Sequence, residues 1–255
     1  MGTDTPRAAL NKDEITREIS QYWRVSVVEV TDSTQDDITE KILAGSATSG
    51  EVVVANYQRA GRGRLQRTFI APESTALTFS LYLTPARDKS EWSFLPLLAG
   101  VAVAESLNQW AGSEKVSLKW PNDVMIGEKK AGGIIAQASG EGVVIGIGIN
   151  VGMNESELPI ETATSLQLND FLQLNRNQLL SSILNTFEKL FLKWNTGSSF
   201  TAEYSQVSAT LGKEVRAEMP DGRSLSGRAI AISENGELIL DGDARVSVGD
   251  IIHLR

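Results

Sequence analysis

The residues able to do chemistry gather in a few short stretches. The densest is Gln58-Arg59-Ala60-Gly61-Arg62-Gly63-Arg64-Leu65-Gln66-Arg67, which sets four arginines and two glycines in a chain of formal net charge -8. Glycines let a backbone bend and bring its N–H groups close to a ligand. Guanidinium forks match carboxylates and phosphates. Lys119-Trp120-Pro121-Asn122-Asp123 puts a cation, an aromatic ring and a carboxylate into one turn, and Lys129-Lys130-Ala131-Gly132-Gly133 runs a lysine pair into two glycines. Asp32-Ser33-Thr34-Gln35 offers hydroxyls where a helix would begin, as a cap, as a polar ligand site, or as both. There is no cysteine, and the only histidine is His253, two residues from the end. Thiolate nucleophiles, disulfides, Ser/His triads and His- or Cys-based metal sites are thereby excluded. Arg, Lys, Asp, Asn, hydroxyls and backbone amides remain, a set suited to charge stabilisation and positioning, as in phosphoryl or nucleotidyl transfer. Concentrated positive charge on an acidic chain points to an anionic small molecule held locally rather than a nucleic-acid-coating surface. Taken alone, the same run also reads as a solvated loop, a localisation patch or an RNA-binding tail.

These stretches need elements to position them. Hydrophobic periodicity predicts helices over 13–22, 34–43 and 95–110 and strands over 25–30, 51–56, 75–83, 116–119, 134–138 and 143–150. The last is nearly all apolar, which implies a central, buried position in its sheet. A second long helix is expected over 172–194, starting near Asp170. The arginine run follows the apolar Val52-Val53-Val54-Ala55 and precedes Pro72, so it reads as a turn hung off a strand. After about Val207 the character changes to short alternating strands divided by Pro220-Asp221-Gly222, Glu234-Asn235-Gly236 and Asp241-Gly242-Asp243. Roughly five strands there imply a small β-barrel-like module. The expected organisation is an α+β catalytic domain over 1–206 and a β module over 207–255. At 41% hydrophobic and 22% charged, the composition is that of an ordinary globular protein. No signal-peptide core or membrane-length apolar run is visible, so a cytoplasmic protein with no membrane partner is expected. Gly146-Ile147-Gly148-Ile149-Asn150-Val151 lacks the third glycine of a dinucleotide fingerprint, and there is no P-loop.

In order and spacing, Asp32-Ser33-Thr34, Gln58 with Gly61-Arg62-Gly63-Arg64, Lys119–Asp123, Lys130 with Gly133, and Gly148-Ile149-Asn150 closely resemble the signature of the biotin protein ligases. The resemblance spans about residues 27–150 by motif, and the β-rich tail resembles that family's SH3-like C-terminal module. It implies a mixed β-sheet with flanking helices, related to class II aminoacyl-tRNA synthetases. It also implies a two-step reaction: biotin and ATP give biotinyl-5′-AMP and pyrophosphate, and a lysine of a biotin carboxyl carrier domain then takes the biotinyl group. Neither step needs a protein nucleophile, in keeping with the residue inventory.

By that resemblance Ser33, Thr34 and Gln58 bind the biotin head, Gly133 lines its pocket, and Gly61 and Arg62 position its carboxylate. Arg64 and Arg67 meet nucleotide phosphates, and Asn150 reads the adenine. Lys130 bridges carboxylate and α-phosphate, and Asp123 orients or deprotonates the incoming amine. Magnesium is expected with ATP, with no protein ligands named. Some bacterial members carry an N-terminal DNA-binding domain; about thirty residues before Asp32 are too few for one, so a monofunctional ligase without nucleic-acid contact is the expectation, as a monomer or weak homodimer. Leu65-Gln66, Phe69 and Gln35 depart from the family pattern, which implies weaker loop–phosphate contacts or a reshaped biotin wall with the site residues above retained. The rivals are a lipoate ligase or acyl transferase of the same fold, and a non-catalytic biotin-binding regulator. Repulsion among the four arginines predicts a loop that orders over the adenylate.

Overall fold

The computed structural model describes residues 7–254. In chain order it contains α1 (Lys12–Glu18), β1 (Arg24–Thr31), α2 (Thr34–Leu43), β2 (Glu51–Gln58), β3 (Gly61–Arg62), β4 (Thr68–Phe69), β5 (Ala76–Leu83), α3 (Leu95–Ala111), β6 (Val116–Lys119), β7 (Asp123–Ile126), β8 (Lys129–Ser139) and β9 (Gly142–Asn150). Then follow α4 (Arg176–Asn195), α5 (Thr201–Gln206), β10 (Glu214–Glu218), β11 (Ser224–Ile232), β12 (Leu238–Leu240), β13 (Arg245–Val246) and β14 (Asp250–His253). Seven strands form one mixed sheet in the order β1-β2-β5-β9-β8-β7-β6. Only β1 and β2 run parallel; the other pairs are antiparallel. The apolar run of β9 takes the middle place, with every residue buried.

The helices cover this sheet through apolar stripes. On α4 the buried Leu179, Leu180, Ile183, Leu184, Phe187, Phe191 and Trp194 recur at helical spacing, and α3 packs against α4. Strands β10–β14 make a separate five-stranded antiparallel sheet in the order β13-β12-β11-β10-β14. Its inward Val215, Ala217, Ala229, Leu238 and Leu240 belong to the same hydrophobic cluster as the large sheet's core. The Trp120 indole N–H donates to the Gly236 carbonyl at 2.9 Å and seals the joint. Among the described residues no helix is long and apolar enough to cross a membrane.

Helix α1 ends at Glu18 rather than Tyr22, the short α5 was not expected, and three further elements differ from the sequence reading. Helix α4 begins at Arg176, not near Asp170, because the Asn175 side chain caps it by accepting from the Asn177 and Gln178 amides, while Asp170 adopts φ 56° and Leu172 is 92% exposed. Strand β8 starts at Lys129 rather than 134, which turns the lysine pair from a turn into a strand. Its partner β7 is four residues long and hidden behind the Lys119–Asp123 turn signal. At the opposite end of the core Arg176, 3% exposed, donates to the Ala76 and Ala8 carbonyls and to Asn56 Oδ1. Burial pushes its pKa down to about 10, opposed by Glu29.

Candidate active site

One cavity of about 660 Å³ opens on the large sheet, and the chemistry-bearing stretches converge on it. Its floor is polar and connected. Ser33 caps α2, its side chain accepting from the Gln35 amide at 3.3 Å. The amide and hydroxyl of Thr34 both donate to Gln58 Oε1, at 2.8 and 3.1 Å. The Thr34 and Ser80 hydroxyls meet at 2.8 Å, and Ser80 also reaches Gln35 Oε1 at 3.2 Å. Ser33, Thr34, Gln35 and Ser80 are all buried. A lattice of neutral donors and acceptors of this kind suits a polar ring that hydrogen-bonds at several points.

Over the floor stands the arginine run, folded as a β3–β4 hairpin that pairs Gly61 with Phe69 and Arg62 with Thr68. Residues 64–66 form a tight turn in which Leu65 takes φ 52°. Gly61 is buried and does not line the cavity; Arg62, Gly63, Arg64 and Arg67 do. Each arginine meets a carboxylate. Arg59 lies 3.8 Å from Asp32, Arg62 lies 2.6 Å from Asp36, and Arg67 pairs with Asp250. Arg64 donates to Asn122 Oδ1 and the Gly249 carbonyl, both at 3.3 Å, and lies 3.8 Å from Asp250. Burial lowers the Arg64 pKa, while Asp250 and then Asp123 raise it again. Mutual repulsion, expected from the sequence, is thus answered pair by pair.

The third wall carries Lys130, which is ion-paired with Asp123 of the facing strand. Segment 162–164 fastens the Lys130 backbone: its amide donates to the Thr162 carbonyl and the Thr164 amide donates back, each at 2.8 Å. Asn150, 6% exposed, donates from Nδ2 to the Thr164 carbonyl at 2.9 Å, so one segment ties Lys130 and Asn150 together. Gly133 lines the cavity beside Lys130; a Cβ there would lie 3.4 Å from its Nζ. Trp120 lines the cavity too, yet its N–H is spent on Gly236, so it works as much as an anchor as a wall.

Sequence reasoning missed Ser80, the purpose of Gly146 and Gly148, and Asp250, whereas Phe69, expected to reshape the wall, does line the cavity. A Cβ on Gly148 would fall 2.7 Å from the Phe69 ring, and one on Gly146 would fall 2.6 Å from Gln35 Oε1. Gly146 and Gly148, set among Val143, Val144, Ile145, Ile147 and Ile149 in the strand interior, signal close approach in the sequence itself. Asp250 lies at the start of β14, nearly two hundred residues from the arginines, where nothing local marks it.

The fold and this cavity define a ligase-type site, and the chain belongs to the biotin protein ligases. Residues 27–154 match the biotin/lipoate A/B protein ligase family and residues 210–254 match the biotin protein ligase C terminal domain. The chain is 32% identical over 251 residues to the biotin--[acetyl-CoA-carboxylase] ligase of Mycobacterium tuberculosis, covering 96% of this chain and 94% of that one. It is 33% identical over 223 residues to the bifunctional ligase/repressor BirA of Bacillus subtilis, covering 84% of this chain and 68% of the relative. Among solved structures, the biotin protein ligase of Aquifex aeolicus in complex with biotin and ATP superposes with a TM-score of 0.79 at 29% identity, over 91% of this chain and 99% of that one.

Proposed function

We infer that this protein is an ATP-dependent ligase: it activates biotin to biotinyl-5′-AMP, releasing pyrophosphate, and transfers the biotinyl group to a lysine of a biotin carboxyl carrier domain of the acetyl-CoA carboxylase type. The observation that carries this reading is the convergence on one cavity of an uncharged polar floor, three arginines and Lys130. The floor of Ser33, Thr34 and Gln58 receives the ring of biotin, with Gly133 beside it. Arg62 orients the carboxylate, carried on the hairpin that begins at the buried Gly61. Arg64 and Arg67 hold nucleotide phosphates, and Asn150 recognises adenine.

In the first step a carboxylate oxygen attacks the α-phosphorus and the bond to pyrophosphate breaks. Both reactants are anionic, so charge stabilisation by Lys130 and Arg64 dominates the rate. In the second step a neutral lysine amine attacks the acyl carbon and AMP leaves. Asp123 orients that amine and accepts its proton, and through its ion pair it also holds Lys130 at the cavity wall. Residues 1–206 form the catalytic domain in this reading and residues 207–255 the C-terminal module; the protein acts in the cytoplasm as a monomer or weak homodimer. Magnesium accompanies ATP and would keep phosphate oxygens and waters among its ligands.

The test is a competition. Labelled biotin, Mg-ATP and a carrier domain are incubated with the enzyme, with lipoate as competitor. Biotin should be transferred to the carrier lysine, and excess lipoate should leave the yield unchanged. Transfer of lipoate in preference to biotin would overturn the substrate assignment.

A further inference from the structure

We propose that Asp250 of the C-terminal module competes with the nucleotide's phosphates for Arg64 and Arg67, so that the module sets how tightly polyphosphate is held. This rests on the reading above that the two arginines face phosphate. The Asp250 carboxylate is divided between them: Oδ1 lies 3.8 Å from Arg64 Nη1, and Oδ2 pairs with Arg67 Nη2. Two oxygens each engaging a separate guanidinium is the arrangement that phosphate oxygens would also take. Asp250 lines the same cavity as Lys130 and Asn122.

The carboxylate stands on a rigid support. Ile251, the next residue, is buried in the module. Gly249, the residue before, hugs β10 so closely that a Cβ would fall 2.9 Å from the Glu218 carbonyl. The Gly249 carbonyl also accepts from Arg64 at 3.3 Å, so Arg64 follows the module's backbone as well as its charge. The other end of the arginine run is held by Asp32, just before the cap of α2, and Asp36 in its first turn. Asp250 is the one carboxylate in these pairs that comes from the second sheet.

Displacement has a consequence within the module. Asp250 faces Glu218 across the β10–β14 ladder, a like-charge pair that the arginines and Arg216, 2.9 Å from Glu218, now offset. Phosphate that takes Arg64 and Arg67 removes part of that offset. Nucleotide binding therefore works against the Asp250 contact, and loss of the carboxylate should strengthen binding.

The probe is inorganic tripolyphosphate, titrated calorimetrically into the full chain and into Asp250→Asn, Arg64→Ala/Arg67→Ala and the triple variant at one fixed ionic strength. Asp250→Asn should bind tripolyphosphate about three- to tenfold tighter than the wild type, the scale of one or two released ion pairs. The gain should vanish where the arginines are absent, the outcome a purely structural role for Asp250 would not give. Equal or weaker binding by a normally folded Asp250→Asn, or no binding by any form, overturns the proposal. Asp250→Ser, measured alongside, settles the matter if the asparagine variant melts early. Biotin-dependent ATP–pyrophosphate exchange by the wild type is a separate readout: its failure would strike the ligase reading while the tripolyphosphate comparison still decides the competition.

Discussion

Lys130 is the side chain on which the reaction chemistry turns. It is half-buried, tied to Asp123 and fixed at its backbone by segment 162–164, so its ammonium is delivered to one place. Removing a preorganised charge of this kind costs about a hundred- to a thousandfold in rate. Lys130→Ala should lower adenylate formation by that order while biotin affinity moves by only a few fold; single-turnover kinetics beside equilibrium binding would show the split. Equal losses in both would make Lys130 a binding residue only. Gly148 tests the cavity's shape rather than its charge. A methyl there meets the Phe69 ring at 2.7 Å, so Gly148→Ala should displace the β3–β4 hairpin and cost about 1–3 kcal/mol as overpacking. The expected signature in steady-state kinetics is a raised KM for both biotin and ATP.

At the scale of elements, Arg176 holds together parts of the chain that no single strand or helix joins. Its guanidinium ties residue 8, strand β5 and, through Asn56, strand β2 to the start of α4. Arg176→Ala removes three hydrogen bonds and the packing of a buried side chain, and should destabilise the protein by about 1–3 kcal/mol, read from urea denaturation. A loss under about half a kcal/mol would mean that water or relaxation replaces it. Such a tie is invisible in the sequence, because Arg176 looks like an ordinary charge at a helix start. Elements with a sustained period were legible: β5, β9 and α3 lie within a residue or two of where the pattern puts them. Strand β7 was not, since three apolar residues between two turn signals carry no period. The cluster of motifs named the cavity, but the floor's wiring through Ser80 and Gln35 depends on strand order. Order in a mixed sheet is fixed by tertiary packing, not by local spacing.

For the molecule as a whole, the joint between the two sheets decides whether it behaves as one body. Trp120 donates its backbone amide to Thr210 Oγ1 at 3.0 Å and its indole N–H to Gly236, and Thr210 Oγ1 lies 3.4 Å from His253 Nε2. Burial, with Lys213 and Lys119 nearby and Glu128 opposing, pushes the His253 pKa down to about 4. An unfolded imidazole titrates near 6.5. The unfolded chain therefore binds more protons between those values, and this contribution to stability falls as pH drops from about 6.5 to about 4. As the only histidine, His253 gives a single imidazole signal in an NMR titration. Its midpoint should lie near 4, and a midpoint near 6.5 would show that the joint is open to water. The central claim, that the cavity joins biotin to AMP, is tested most directly by ATP–pyrophosphate exchange measured with and without biotin. Exchange should require biotin and fall by about a hundredfold or more in Lys130→Ala. Biotin binding without any biotin-dependent exchange would contradict the account and leave a biotin-binding protein in place of a ligase.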